Sequence, residues 1–253
     1  MRIAVAGGTG LVGRHVVHAV ADAGHEPVVL SRARGVDITT GKGLAEALVG
    51  VEAVIDVSNI TTTRRRTSVA FFTAGTEQLL AAGQRAGVRH HVALSIVGVD
   101  RVDFGYYEGK RAQEKLVLFG PVPGSVLRAT QFLEFPGQIL ARARGPLALV
   151  PSMRVQPVAA QEVAAALVAL AAGPAEGMAA ELAGPQEHEM VDLARRLVRA
   201  KGLRRRVVGI QMPGAAGRAM AGGGLLPTGP GPRGRLTFEQ WLTAGTPPIK
   251  PTR

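Results

Sequence analysis

Three glycines spaced three residues apart constrain this chain more than any other feature of it. They lie in "VAGGTGLVGRHVV", where Gly7, Gly10 and Gly13 join a short apolar run, Arg2–Ala6, to an amphipathic stretch, Leu11–Ala23. An apolar run of that length stopped by glycine reads as a buried strand, and the stretch after it as a helix. At such a turn one glycine lets the chain reverse and another lets backbone amides approach an anion. The third lets helix and strand pack closely, with the anion at the positive helix end. A glycine-rich string alone carries little weight. Placed at the opening of a strand–helix–strand unit, it is a pyrophosphate-binding signature.

The pattern continues down the chain. Strands are expected at Pro27–Ser31, briefly at Val36–Ile38, and at Ala53–Val57, His91–Ser95 and Gly124–Ala129. Helices are expected at Leu44–Val49, Ser68–Arg85 and Tyr106–Phe119. Strands alternating with helices require crossover connections, hence an α/β fold: a doubly wound parallel sheet of Rossmann type. After Thr130 the alternation loosens, with helical patterns at Gln131–Arg144, Gln161–Ala172 and His188–Lys201 and a glycine- and proline-rich stretch, Gly214–Gly234, that reads as a mobile loop. The expectation is a single domain over 1–253, its dinucleotide-binding core mainly 1–130 and a small C-terminal lobe mainly 131–253.

Composition narrows the function classes. The 253 residues include no cysteine, which excludes disulfides, thiolate metal sites and thiol nucleophiles and fits a reducing, cytoplasmic setting. The longest apolar run, Val163–Ala172, is far short of the ~20 residues a membrane span requires. A net charge of +11 invites a nucleic-acid partner. The arginines are scattered, however, and those in "MVDLARRLVRAK" fall opposite an apolar helical face of Met190, Leu193, Ala194, Leu197 and Val198. No zinc-finger spacing or aromatic RNA-binding motif accompanies them, which argues against nucleic acid. His90 and His91 precede a strand without metal-ligand spacing, so no metal is expected. Trp241, the single tryptophan, reads as the anchor of a C-terminal helix.

The stretches "GGTGLVGRHVV", "AGVRHHVALSIVGVD", "YYEGK", "LRATQFLEF", "QPVAAQEVAAALVAL", "ELAGPQ" and "LTFEQWL" together resemble the short-chain dehydrogenase/reductase superfamily in its atypical, NmrA-like or epimerase-like branch. The resemblance implies a nicotinamide dinucleotide held by the loop residues Gly7, Thr9, Gly10, Leu11, Val12 and Gly13. An acid at the end of the second strand would bind the ribose 2′-hydroxyl, whereas arginine accommodates a 2′-phosphate. This chain has Ser31 and Arg32 there, with Arg34 close by, so NADP is expected over NAD. Asp37 and Ile38 resemble the family's adenine-contacting pair, and Ser58 and Asn59 are placed near the nicotinamide end.

The resemblance also assigns the chemistry. In the superfamily a tyrosine four residues before a lysine exchanges a proton with the substrate, the lysine holds the nicotinamide ribose and lowers the phenol's pKa, and a serine ending the preceding strand orients the substrate. Tyr106, Lys110 and Ser95 match that arrangement. Four residues is one helical turn, and Tyr107, at three, reaches the same face, so which tyrosine faces the cofactor stays open. Gly109 is a poor helix former within this turn. The expected function is an NADP(H)-dependent oxidoreductase acting on a small carbonyl or alcohol. A non-catalytic NADP(H)-binding redox sensor is the alternative and a nucleotide-sugar epimerase the third reading. Substrate identity and oligomeric state, monomer or homodimer, stay open.

Overall fold

The computed structural model describes residues 1–143 and 145–245. In chain order its elements begin with β1 (Arg2–Ala6), α1 (Leu11–Asp22), β2 (Glu26–Leu30), α2 (Leu44–Ala47), β3 (Ala53–Asp56), α3 (Arg65–Ala86), β4 (His90–Ile96), α4 (Gly105–Leu118) and β5 (Gly124–Ala129). There follow α5 (Phe135–Arg142), β6 (Leu147–Pro151), β7 (Arg154–Val155), α6 (Ala160–Ala172), β8 (Gly177–Met178), β9 (His188–Glu189), α7 (Met190–Ala200), β10 (Arg206–Ile210), α8 (Gly214–Ala221) and α9 (Phe238–Thr243).

These elements fall into two compact units. The first comprises Met1–Asp100, Phe104–Ala129 and Ala160–Ala180; the second takes Arg101–Asp103, Thr130–Ala159 and the chain from Glu181 onward. The chain leaves the first unit after β5 and returns to it for α6 and β8.

The first unit is built on a six-stranded sheet in the order β2-β1-β3-β4-β5-β8. Every pairing in it is parallel. Parallel strands are covered on both faces, so their sequences are apolar throughout rather than alternating. Ile3, Ala4, Val5 and Ala6 accordingly have no exposure at all. One face carries Ala4, Ala6, Leu30 and Val54 against Leu44 of α2 and Leu79 and Leu80 of α3. Elsewhere α1 packs with α6, and α3 with α4. The strand order reverses between β1 and β3, and such a switch point is where open α/β sheets receive ligands, beyond the carboxyl ends of the strands. This is the Rossmann-type architecture expected from the alternating pattern.

Three expectations need correction. Val36–Ile38 forms no strand; Asp37 makes only a single bridge to Lys42. Glycines 35, 41 and 43 all adopt left-handed φ values of 74–80° around it, and Asp37 turns its carboxylate onto Thr39, so the segment closes into a tight loop. Part of the supposed loop Gly214–Gly234 is helical: α8 uses "GAAGRAMA", whose alanines and methionine favour helix where the glycine count suggested none. The helix expected at Gln131–Arg144 starts later, at Phe135, because residues 131–134 bridge and turn; Arg144 lies outside the described residues.

The second unit has its own core, which includes Leu133, Leu140, Val150, Val158, Met190, Leu193, Leu197 and Phe238. A parallel pair, β10 with β6, and an antiparallel pair, β7 with β9, frame it. On α7, Arg195 and Arg199 lie exposed opposite the buried Leu193, Ala194, Leu197 and Val198, the solvated face its spacing predicts. A capping box opens α9, Thr237 and Gln240 each satisfying the other's backbone N–H. The buried aromatic of α9 is Phe238, with Trp241 half-exposed beside it at 5.5 Å between ring centroids, so Phe238 rather than Trp241 is the anchor. Among the described residues no helix is long and apolar enough to cross a membrane, and no cluster of metal-ligating side chains occurs.

Candidate functional site

The glycine loop emerges from β1 at the switch point. Gly7 has a left-handed φ of 79°, and a Cβ there would sit 2.8 Å from the Ser58 backbone. The loop and the end of β3 are therefore in direct backbone contact. At Gly13 a Cβ would lie 2.0 Å from the Gly7 carbonyl oxygen, so glycine is what lets α1 start against the loop. Gly10 differs. It caps α1 with an extended backbone, is exposed with Thr9, and a Cβ would meet only the Gly7 oxygen, at 3.2 Å. The position expected to approach an anion is thus the open one. Leu11 is half-buried behind it and Val12 is buried.

Outside the loop lies a pocket of about 420 Å³ lined by Gly8, Thr9, Arg14, Val17, His18, Val29 and Arg34. Two guanidinium groups border it. Arg14 donates to the Thr9 carbonyl at 3.0 Å, tying it to the loop's own backbone. Arg14 was not singled out from the sequence, although it directly follows the third glycine. Ser31 and Arg32, the residues expected to select the cofactor, do not line this pocket. Ser31 caps the short turn Arg32–Arg34, and its buried hydroxyl finds no partner among the described residues. The carboxyl of Asp37 is held below its usual range chiefly by the Thr39 hydroxyl and N–H. Ile38 leans on α3, its Cδ1 3.2 Å from where a Cβ at Gly75 would be.

From Ser58 the site continues to the tyrosine. Ser58 donates its N–H to Asp56 at 2.9 Å, which fixes the turn out of β3. The next residue, Asn59, accepts the Tyr106 hydroxyl at 2.7 Å. Gly7, Ser58, Asn59 and Tyr106 therefore form one continuous line of contacts, from the phosphate-type loop to the phenol. Tyr106 also packs edge-on against Phe72 of α3, with centroids 5.8 Å apart. Tyr107 is turned towards Phe104, at 5.4 Å, and is buried. Burial pushes both phenols above their ordinary range, and for Tyr106 the neighbouring Tyr107 adds to the effect. The lowering of the phenol's pKa expected from a nearby lysine is not what this geometry produces.

Lys110 explains why. Its ammonium is buried and donates to the Leu94 carbonyl at 2.5 Å and to Gln113. Gln113 in turn donates to Asp56 at 2.8 Å. The lysine also lies over the Phe72 ring, 4.6 Å from its centroid. Its charge serves a buried network that fastens α4 to β3 and β4, and desolvation lowers it to about 8 despite the opposing pull of Asp56 and Glu114. Neither Asp56 nor Gln113 was anticipated; a polar residue in an otherwise apolar strand was the available signal. Ser95 is buried in β4, one residue beyond Leu94, and its hydroxyl finds no partner among the described residues, Tyr106 and Lys110 included. His90 and His91 also lie within β4, not before it, and both are buried.

Gly109 has a role opposite to its helix propensity. A Cβ there would lie 2.3 Å from the Ser68 hydroxyl and 2.6 Å from Ser68 backbone atoms. Glycine allows α4 to approach α3 closely, and Ser68 seals the contact by donating to the Tyr106 carbonyl at 2.7 Å. The tyrosine's backbone is thereby fixed from a second helix.

The sequence model of the NAD dependent epimerase/dehydratase family matches residues 3–99. A curated relative, the (4-alkanoyl-5-oxo-2,5-dihydrofuran-3-yl)methyl phosphate reductase of Streptomyces griseus subsp. griseus, is 32% identical over 205 residues, 73% of this chain and 68% of the relative. The solved structure of MoeE5 in complex with UDP-glucuronic acid and NAD superposes with a TM-score of 0.73 at 15% identity, over 96% of this chain and 97% of that one. The Citrobacter sp. triphenylmethane reductase complexed with NADP(H) gives 0.66 at 18% identity, over 90% and 93%. Those two likenesses are of fold. The sequence matches, joined to a glycine loop at the switch point of a parallel sheet, identify the lineage: the chain belongs to the NAD dependent epimerase/dehydratase family.

Proposed function

We propose that this protein is an NADP(H)-dependent oxidoreductase that reduces a small carbonyl compound, with Tyr106 as proton donor. The observation that carries the reading is the unbroken line Gly7–Ser58–Asn59–Tyr106, which sets a phenol at the end of the loop a dinucleotide would occupy. Thr9, Gly10 and Leu11 would receive the pyrophosphate at the start of α1. Arg14 and Arg34 would take the 2′-phosphate in the pocket they border, which supports NADP over NAD and assigns the selection to Arg14 and Arg34 more than to Arg32. When bound, the reduced nicotinamide supplies a hydride. Tyr106 supplies the balancing proton: its O–H passes from Asn59 to the carbonyl oxygen, and the phenolate left behind regains a proton from solvent. A phenol is protonated at neutral pH, as a donor in the reductive direction must be; the burial that raises its pKa also makes it a weaker acid, so the gain comes from its position. Ser95, with an unused hydroxyl one residue from the Lys110 tether, would orient the substrate oxygen. Lys110 positions α4, and the resemblance to the superfamily makes it the residue that would hold the nicotinamide ribose.

One observation favours a second reading. The ammonium of Lys110 is fully committed to Leu94 and Gln113, as suits a protein that binds the dinucleotide without turning over a substrate. Calorimetric titration with NADPH and NADH, followed by NADPH oxidation against aldehydes, ketones and quinones, separates the two. Turnover with tighter NADPH binding supports the oxidoreductase. Tight NADPH binding with no turnover across the panel supports the sensor.

A further inference from the structure

The pocket beside the glycine loop has a third basic side chain, which the choice of Arg14 and Arg34 leaves without a role. Arg14, Val17 and His18 stand three and four residues apart on α1, so they share one helical face, and all three line the pocket. The floor is apolar: a Cβ at Gly8 would lie 3.0 Å from Cγ1 of Val29 and 3.3 Å from Cγ2 of Val17. The polar side chains around that floor are Thr9, two guanidinium groups and the His18 imidazole, with no carboxylate among the lining residues. Arg14 donates to the Thr9 carbonyl. The side chains of His18 and Arg34 are exposed and make no hydrogen bond or ion pair with another described residue.

The charged groups around His18 come from five elements. On α1, Arg14 and His15 precede it by a turn or less and Asp22 follows it by a turn; Asp22 is exposed and does not line the pocket. The turn after β2 presents Arg34. Arg2 of β1 and Glu26 of β2 are paired with each other at 3.0 Å. Helix α6, which packs on α1, carries Glu162, also outside the lining. His15 is half-buried, and burial, then Arg14 and His18, hold its imidazole below the ordinary range. His18 is therefore the imidazole placed to answer an anion in the pocket.

We propose that His18 is a third ligand for the 2′-phosphate and makes the preference for NADPH over NADH depend on pH. The inference rests on the reading that Arg14 and Arg34 receive that group. Beside two guanidinium groups an imidazole is favoured neutral, whereas beside a bound dianion it is favoured charged. Binding of NADPH therefore draws a proton onto His18. A ligand that binds with proton uptake binds more tightly as pH falls, so the preference grows from about pH 8.5 to about pH 6.5. Below about pH 6 the phosphate itself takes a proton and the gain fades. NADH lacks the phosphate and draws no proton.

Calorimetry on the full chain tests this at pH 7, in two buffers of different ionisation enthalpy, so that the difference in heat counts the protons exchanged. An imidazole raised by about one unit from the ordinary value of about 6.5 takes up about half a proton at that pH. NADPH should give that uptake and NADH none. His18→Gln should abolish it, lowering NADPH affinity about fivefold at pH 6.5 and hardly at all at pH 8.5. His18→Lys, whose charge persists through this range, should hold the low-pH affinity up to pH 8.5 without uptake. His15→Gln should keep the parental uptake. Parental uptake in His18→Gln, loss of uptake in His15→Gln, or equal uptake with NADH would overturn the proposal and leave the assignment of Arg14 and Arg34 standing. A parent that binds NADPH no more tightly than NADH would overturn both.

Discussion

At Gly10 and Gly13 the same substitution has opposite meanings. The extended backbone of Gly10 accepts any residue, and the one close atom, at 3.2 Å, requires only a small adjustment. Gly10→Val should therefore fold, with a native circular dichroism spectrum, while placing a branched side chain where the pyrophosphate approaches. Calorimetry should show dinucleotide binding collapse. Gly13→Val places its Cβ 2.0 Å from a backbone oxygen, and should fail to fold. If Gly10→Val binds at parental strength, the phosphates are not where we place them. The arginines can be separated in the same way. Arg14→Ala and Arg34→Ala should each weaken NADPH binding by about ten- to a hundredfold, the worth of a charge-assisted hydrogen bond of roughly 1.5–3 kcal/mol. NADH binding should hardly change. Arg32→Asp should have the smaller effect, since Arg32 lies outside the pocket.

Helix α4 carries the proposed proton donor, and four contacts set its position. Gly109 brings it against Ser68 of α3, Lys110 ties it to β4, and Gln113 ties it to β3. A fourth, the paired hydrogen bonds of Arg128 with Glu114 at 2.8 and 2.7 Å, fastens it to β5. Gly109→Ala should cost about 1–3 kcal/mol by forcing α3 and α4 apart, although alanine is the better helix former. Chemical denaturation measures this, and a stabilised variant would show that the helices are not in contact as described. Lys110→Met should be destabilising by a similar amount, because the Leu94 carbonyl and Gln113 lose their donor. Its pH dependence is diagnostic. Burial lowers Lys110 to about 8, so between there and the ordinary lysine range the unfolded chain binds more protons than the folded one. Stability on this account rises with pH from about 8 to about 10, before the two buried tyrosines, whose pKa values are raised, reverse the sign. Lys110→Met should lose that rise.

Across the whole molecule, what the sequence displayed was whatever depends on short-range pattern. Apolar runs such as Ile3–Ala6 and the glycines between β1 and α1 are local signals, and the sheet and the loop followed from them. Val36–Ile38 misled because three apolar or β-compatible residues say nothing of the left-handed glycines that close the chain around them. Tyr106, Asn59 and Ser58 were each identified, but their union depends on α3 and α4 packing through Gly109, a contact between distant segments. Lys110 was singled out by spacing, while the direction of its side chain is set by Asp56 and Gln113, residues no local motif marks. A core and a C-terminal lobe were expected with a boundary near residue 130, but the return of α6 and β8 to the first unit after the chain has left it was hidden. At this scale acid is the test of integration. His91 is buried in the sheet and held well below the ordinary imidazole range by desolvation. The unfolded chain therefore binds a proton that the folded one refuses, and stability should fall as pH drops below about 6.5, by up to about 1.4 kcal/mol per pH unit. A His91→Gln variant followed by thermal denaturation across that range should show a shallower fall, and an equal slope would place the acid sensitivity elsewhere.

The central claim is that Tyr106 gives the proton, and single hydroxyl deletions test it most directly. Steady-state NADPH oxidation would be measured for the parent, Tyr106→Phe and Tyr107→Phe on a ketone or aldehyde the parent reduces, alongside NADPH affinity for each. The account predicts a fall in kcat of about 10²–10⁴ for Tyr106→Phe, the usual contribution of a positioned general acid, with NADPH affinity retained and Tyr107→Phe near parental. Parental turnover in Tyr106→Phe, above all with turnover abolished in Tyr107→Phe, would contradict it.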